Sequence, residues 1–276
     1  MNHWRILLGE YMKKIKFYLN IVKIFMKNQM QDRTNILLDI FNMVSRCLIV
    51  FLLYSYIFKI NGGSINGADY KSTMWSMFIY FCIMILNIRK IDNLIMTEVK
   101  SGNVEMFMNK PANYLVLSFM KVIGQGIFSF LFISVVGSIV MVFFIGIPNL
   151  NLCIFIPTFI ITLLLGQILG LFIYGLIGIM SFFMQNIRPI HWIVDKFVMI
   201  LGGSYLPISL FRNFLKIIAF ISPFGAINFA SSTVYDSWNN EFLIRIGLQI
   251  MWIFIFGFLL EFVYKKSKKK AMINGG

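Results

Sequence analysis

The side chains best suited to bind a metal or attack a substrate are two histidines and three cysteines. His3 and His191 lie far apart in the chain, and Cys47, Cys82 and Cys153 form no close pair. Zinc sites draw on ligands at short, paired spacings, and a disulfide framework uses an even set. Gly202-Gly203-Ser204 has the start of a nucleophile elbow. Leu206 stands where the closing glycine belongs, however, and no His is placed to serve as base. The dipeptide Gly-Lys never occurs, which removes the usual phosphate-cradling P-loop. Gly124-Gln125-Gly126 sits in an apolar run with no strand before it, so it is not a dinucleotide loop. The expectation is no catalytic residue, no metal and no cofactor in this chain, which is then not itself an enzyme.

Other polar residues have spacings that suggest mechanical work. Asp39, Asn42 and Arg46 fall at i, i+3 and i+7 inside an apolar run and share one helix face. Charge at membrane depth is costly, so this stripe is expected to face protein or water. Asp39 near a hydrated interface is the alternative. Lys13, Lys16, Asn20, Lys23 and Lys27 make one face of an N-terminal helix, and Tyr11, Ile15, Tyr18, Val22 and Phe25 make another. Such a helix suits the headgroup plane, as an anchor or as a lever on a partner. The segment from Arg89 to Asn113 mixes Arg89, Lys90, Asp92, Glu98, Lys100, Glu105 and Lys110 with Ile91, Leu94, Ile95 and Met106. It reads as a helix over about 91–99, ended by Gly102, with Pro111 opening the next segment. It can dock on a cytoplasmic protein or simply be solvated.

The elements that carry these residues are set by composition. The chain has 276 residues, is 59% hydrophobic and only 13% charged, and has a mean hydropathy of +0.80. That is about half the charge of a soluble domain, which leaves an integral membrane protein. Apolar spans run over Ile36–Phe58, Thr73–Ile88, Tyr114–Ile145, Leu152–Phe183 and Phe242–Tyr264. Between the last two, Ile190–Leu201 continues through Gly202-Gly203-Ser204-Tyr205-Leu206-Pro207 into Ile208–Ile221. We read one span ending near Leu206 followed by a short re-entrant hairpin or interfacial helix with Arg212, Lys216 and Ser222-Pro223-Phe224-Gly225. Two full spans there would give seven in all. Gly166 and Gly170 form a G-x-x-x-G that lets helices approach closely, inside the chain or between two chains.

The net charge of +14 sorts by side. In a six-span arrangement the N-terminal segment, the 89–113 loop, Arg188, Lys196 and the lysine tail put eighteen cations on one side. Lys59, Lys71, Arg212 and Lys216 are left on the other. This is the positive-inside pattern with both termini cytoplasmic, and it explains the basic charge without nucleic acid. The expected fold is all-α and polytopic, with three parts. Residues 1–35 form an amphipathic helix, 36–264 hold six spans with a loop at about 89–113 and an outer hairpin at about 202–225, and 265–276 form a basic tail.

That pattern resembles the membrane subunit of bacterial type-2 ABC exporters, the ABC-2-type permeases. Glu98-Val-Lys-Ser-Gly102-Asn-Val-Glu-Met-Phe-Met-Asn-Lys110-Pro111 is similar to the family's glycine-to-KP loop. Gly202-Gly203-Ser-Tyr-Leu-Pro207-Ile-Ser-Leu-Phe211 with Ser222-Pro223-Phe224 is similar to its outer hairpin. Arg212 stands where the family often has a second proline. The resemblance implies a multi-pass efflux subunit in the bacterial cytoplasmic membrane. It would pair with a second permease chain, identical or sister, above two ABC ATPase subunits that bind ATP and Mg. It further implies an ATPase-coupling interface of Asp92, Glu98, Lys100, Gly102, Lys110 and Pro111, in which Asp92, Glu98 and Lys100 touch the ATPase and Gly102 and Pro111 shape the segment, and that the hairpin gates exit. Membrane lipids are the remaining partner. An ATP-independent transporter or channel, or a non-transporting sensor or immunity protein, is the competing reading. A transporter of that kind normally keeps more ionisable residues at membrane depth than Asp39 and Arg46.

Overall fold

The computed structural model describes residues 2–65, 68–86, 88–104, 113–235 and 237–274, without the side chains of 2–12, 209, 239 and 269–274. Helix α1 (Asn2–Gln31) precedes α2 (Arg33–Ile60), and Asp32 caps α2 by accepting from the Asn35 N–H at 3.2 Å. Gly62 and Gly63, at φ 73° and 89°, turn the chain into a two-residue ladder in which Ser64 faces Asp69. These strands are β1 (Ser64–Ile65) and β2 (Ala68–Asp69). Asp69 then caps α3 (Tyr70–Ile85), and a short 3-10 turn leads to α4 (Ile91–Lys100). Next come α5 (Tyr114–Ile145) and α6 (Leu152–Met180), each opened by an asparagine cap, Asn113 and Asn151. The rest is α7 (Arg188–Leu201), α8 (Asn213–Ile221), α9 (Pro223–Ala226) and α10 (Trp238–Asn274).

Among the described residues, five helical stretches are long and apolar enough to cross a membrane: Arg33–Ile60, Tyr70–Lys100, Tyr114–Ile145, Leu152–Met180 and Asn240–Lys268. The protein is therefore an all-α membrane-embedded bundle. One end carries α4, and the other carries the β1–β2 ladder. Helix α10 runs parallel to α6. Gln249 bonds to Thr162, Gly257 meets Phe172 and Leu260 meets Gly175, so the contacts climb both helices together. The chain between Met180 and Trp238 must then return the length of the bundle.

That return is not one helix. With 14 residues, α7 is about 21 Å long, short of a bilayer core of about 30 Å. It runs antiparallel to α4 and the end of α3, and it stops beside α3. There Val198 shares a crevice with Ile83 and Ile88. The expected helix to Leu206 thus ends at Leu201. Gly203 turns at φ 89°, a value open to glycine at no steric cost. Helices α8 and α9 fold back toward α7, with Ala219 of α8 in one cluster with Leu201 and Phe224 of α9 stacked on Phe197 at 5.6 Å. The 3-10 segment Phe229–Val234 then lies along α3, with Ala230 and Val234 buried among Met74 and Met77.

Glycines permit the closest helix approaches. A Cβ on Gly126 would stand 2.2 Å from the Leu86 carbonyl oxygen, and one on Gly124 2.7 Å from that of Val22. The residues that failed as a dinucleotide loop are thus where α5 admits α3 and α1.

Candidate functional site

At the α4 end, charged side chains fasten the loop segment to the membrane helices. Arg89 lies in the 3-10 turn before α4 and Asp92 in the first turn of α4, while His191 and Asp195 lie one turn apart on α7. Because the two segments are antiparallel, Arg89 meets Asp195 and Asp92 meets His191. Arg89 Nη1 donates to Asp195 Oδ1 at 2.6 Å, with the side chains only 16% and 19% exposed. Arg89 Nη2 also donates to Tyr80 Oη of α3 at 3.2 Å, and Tyr174 Oη of α6 donates to Asp195 at 3.0 Å. Asp92 is fully buried and pairs with His191 Nδ1. One cluster thus joins α3, α4, α6 and α7.

A second pair closes the other side of α4. Glu98 accepts from Lys121 Nζ at 2.8 Å and from Tyr114 Oη at 2.6 Å, both on α5. Buried charges persist only when paired and hydrogen-bonded. In these clusters Arg89 answers Asp195 and Lys121 answers Glu98. Apolar contacts complete the seat, with Ile91 and Ile95 fully buried and Gly178 of α6 allowing α4 to approach. A Cβ on Gly178 would lie 3.0 Å from the Asp92 Cα.

The predicted docking residues accordingly separate. Asp92 and Glu98 point into the protein, so they anchor α4 and do not form its outer surface. Lys100 is exposed. With Arg188, Gln185 and Asn186 it lines an open polar cleft of about 750 Å³ against the loop after α6. Gly102, at φ 73°, follows the end of α4, as a C-terminal glycine should. Glu105, Met106, Lys110 and Pro111 lie outside the described residues.

The other expected groups fall elsewhere. Asp39 is half-buried and lies within reach of the Lys90 charge, while Asn42 and Arg46 are exposed on α2. Gly166 and Gly170 are covered from within, by the Ile227 carbonyl and the Ile88 side chain. The apolar face of α1 meets α5 through Val22 and Phe25, and Tyr18 Oη accepts from the Asn113 N–H at 3.3 Å. In the hairpin, Gly202, Gly203 and Pro207 are buried and Pro223 is half-buried. Arg212 is exposed and Lys216 half-buried. The hairpin is tied to α10 and α6 by Gln249, whose amide donates to the Ala226 carbonyl at 2.8 Å and the Thr162 carbonyl at 3.1 Å. Arg245 sits among Phe220, Phe229 and Trp238 at 4.9–5.2 Å and bonds to Glu241.

Sequence reasoning missed Arg89, His191 and Asp195 as a cluster, with Tyr80, Tyr174, Tyr114, Lys121, Gln249 and Arg245. One signal was present. Arg89/Asp92 and His191/Asp195 are spaced at i+3 and i+4, in the order that two antiparallel helices need to match opposite charges. Among the described residues no group of His, Cys, Asp and Glu could hold a metal. No protein-family model and no curated protein matches the chain.

Proposed function

We propose that this chain is the transmembrane subunit of an ATP-driven exporter of the ABC-2 type. Two such permeases, identical or sister, would enclose the path in the bacterial cytoplasmic membrane. Separate ATPase subunits would bind ATP and Mg beneath them. The observation that carries the reading is the seating of α4. A short amphipathic helix beyond α3 is gripped by charged pairs from α7 on one side and α5 on the other. A force applied to it would reach three membrane helices through contacts that are costly to break.

The parallel run of α6 and α10 supports six crossings with both termini on the α4 side, the fifth made in pieces by α7, α8 and the 229–234 segment. On that topology the lysine-rich tail, α1 and the Lys100–Arg188 cleft share the cytoplasmic face. This face offers a cationic docking surface to an ATPase. Binding energy that differs between the ATP-bound and free states of the ATPase would shift the helices by population. The gripping residues Asp92 and Glu98 transmit, while Lys100 makes contact.

The test is charge reversal at Lys100 in the protein purified from its own cells, with any P-loop ATPase that co-purifies quantified. Lys100→Glu should leave the amount of folded permease unchanged and reduce ATPase co-purification at least tenfold. Undiminished co-purification and undiminished ATP hydrolysis would remove Lys100 from the interface and take away the support for this docking face.

A further inference from the structure

Helices α2, α3 and α5 do not close on one another. Between them lies a cavity of about 300 Å³, lined by apolar side chains such as Val44, Leu48, Met77, Phe81, Val136 and Val140. The lining of this cavity holds no charged side chain. It is open along one side, because Val44, Leu48, Val136 and Val140 stay 46–56% exposed. Water gains nothing in such a space, and an empty one forfeits dispersion contacts on every wall. In a bilayer the filler at hand is a hydrocarbon chain.

The two ends of the groove differ in charge. At the β1–β2 end the lining closes with Phe144 and Ile145, next to Gly146. There the Lys71 ammonium lies 3.7 Å from where a Cβ would stand on Gly146, and Trp75 Nε1 donates to the Gly146 carbonyl at 2.9 Å. Lys71 makes no ion pair among the described residues. A tryptophan with a polar tip at such a position is typical of a membrane interface. At the other end Ile40 adjoins Asp39, whose carboxylate offsets the nearby Lys90 cation.

We infer that the α2–α3–α5 groove is a binding site for one acyl chain of an anionic phospholipid, with its phosphate at Lys71. The inference needs only that the bundle sits in a membrane, and it holds whether or not an ATPase drives the protein. Both kinds of head carry a phosphate, but the choline cation of a zwitterionic head cancels its attraction to Lys71, so one lysine favours a net-anionic head about fivefold. A bulky ring on the groove wall removes the space for the chain.

The experiment is native mass spectrometry of the full-length protein in mild detergent, with equal amounts of phosphatidylglycerol and phosphatidylcholine bearing the same chains. The wild type should keep one lipid, with phosphatidylglycerol favoured about fivefold. Lys71→Gln should bring the two lipids to parity. Val140→Trp should lower retention of both at least fivefold, and Val44→Trp on the facing wall should repeat the loss if Val140→Trp does not fold. Equal retention of the two lipids by the wild type would overturn the proposal. So would retention that survives both tryptophans, or a preference that survives Lys71→Gln.

Discussion

The Arg89–Asp195 pair permits a worked test of the clasp around α4. Replacing Asp195 with Ala removes the acceptor 2.6 Å from Arg89 Nη1 and the acceptor of the Tyr174 hydroxyl, leaving Arg89 with Tyr80 at 3.2 Å. Two unit charges about 4 Å apart at an effective dielectric of about 20 attract by about 4 kcal/mol. Some water reaches both side chains, 16% and 19% exposed, so about 3 kcal/mol is the better figure, at the lower end of the cost of breaking a buried pair. For a chain of this size that corresponds to a melting point lower by about 6–12 °C. Cys82 is buried and Cys47 half-buried, while Cys153 is exposed. A thiol-reactive dye therefore reports unfolding above a constant Cys153 signal. Asp195→Ala should lower the midpoint by that amount. The double variant Arg89→Leu/Asp195→Leu should recover at least half of the loss, because no charge is left unpaired. A single variant that melts within about 2 °C of wild type, or a double variant as unstable as the summed singles, would refute the reasoning.

Three further outcomes follow from other contacts. Gly126→Val and Gly166→Val each drive a Cβ to within 2.3 Å of a backbone carbonyl, so size-exclusion profiles should show little folded monodisperse protein. Gly247→Ala, with nothing within 4 Å of its Cβ, should elute as wild type. Gln249→Leu removes the amide that satisfies the Ala226 and Thr162 carbonyls and should cost about 2–3 kcal/mol, read as a lower dye-detected midpoint. Lys100→Glu, on an exposed side chain, should shift that midpoint by no more than about 0.5 kcal/mol equivalent.

The membrane bundle was legible because apolar runs of about 20 residues leave few alternatives. The starts of α2, α3, α5 and α6 carry Asp32, Asp69, Asn113 and Asn151, residues whose side chains serve as caps. The break near Gly202-Gly203 was readable too, since glycine pairs and Pro207 interrupt an otherwise apolar stretch. How early α7 would stop was not readable, because Tyr205 and Leu206 extend the apolar run past its last helical residue, Leu201. The site was only half visible. Asp92 and Glu98 stand in a polar loop, and polarity alone does not tell an outward charge from one paired inward. Their partners His191, Lys121 and Tyr114 come from remote segments, brought close only once α7 and α5 fold beside α4. Gly124 and Gly126 likewise make sense only when Val22 and Leu86 are seen against them.

On the proposed function, the α4 face would receive a nucleotide-hydrolysing partner. The most direct measurement is quantitative mass spectrometry of the protein purified from its own membrane in mild detergent. A P-loop ATPase should be present at about one copy per chain, and its ATP hydrolysis should fall when Asp92→Ala loosens α4. Purification with no such ATPase, together with transport in vesicles that contain none, would contradict the proposed function.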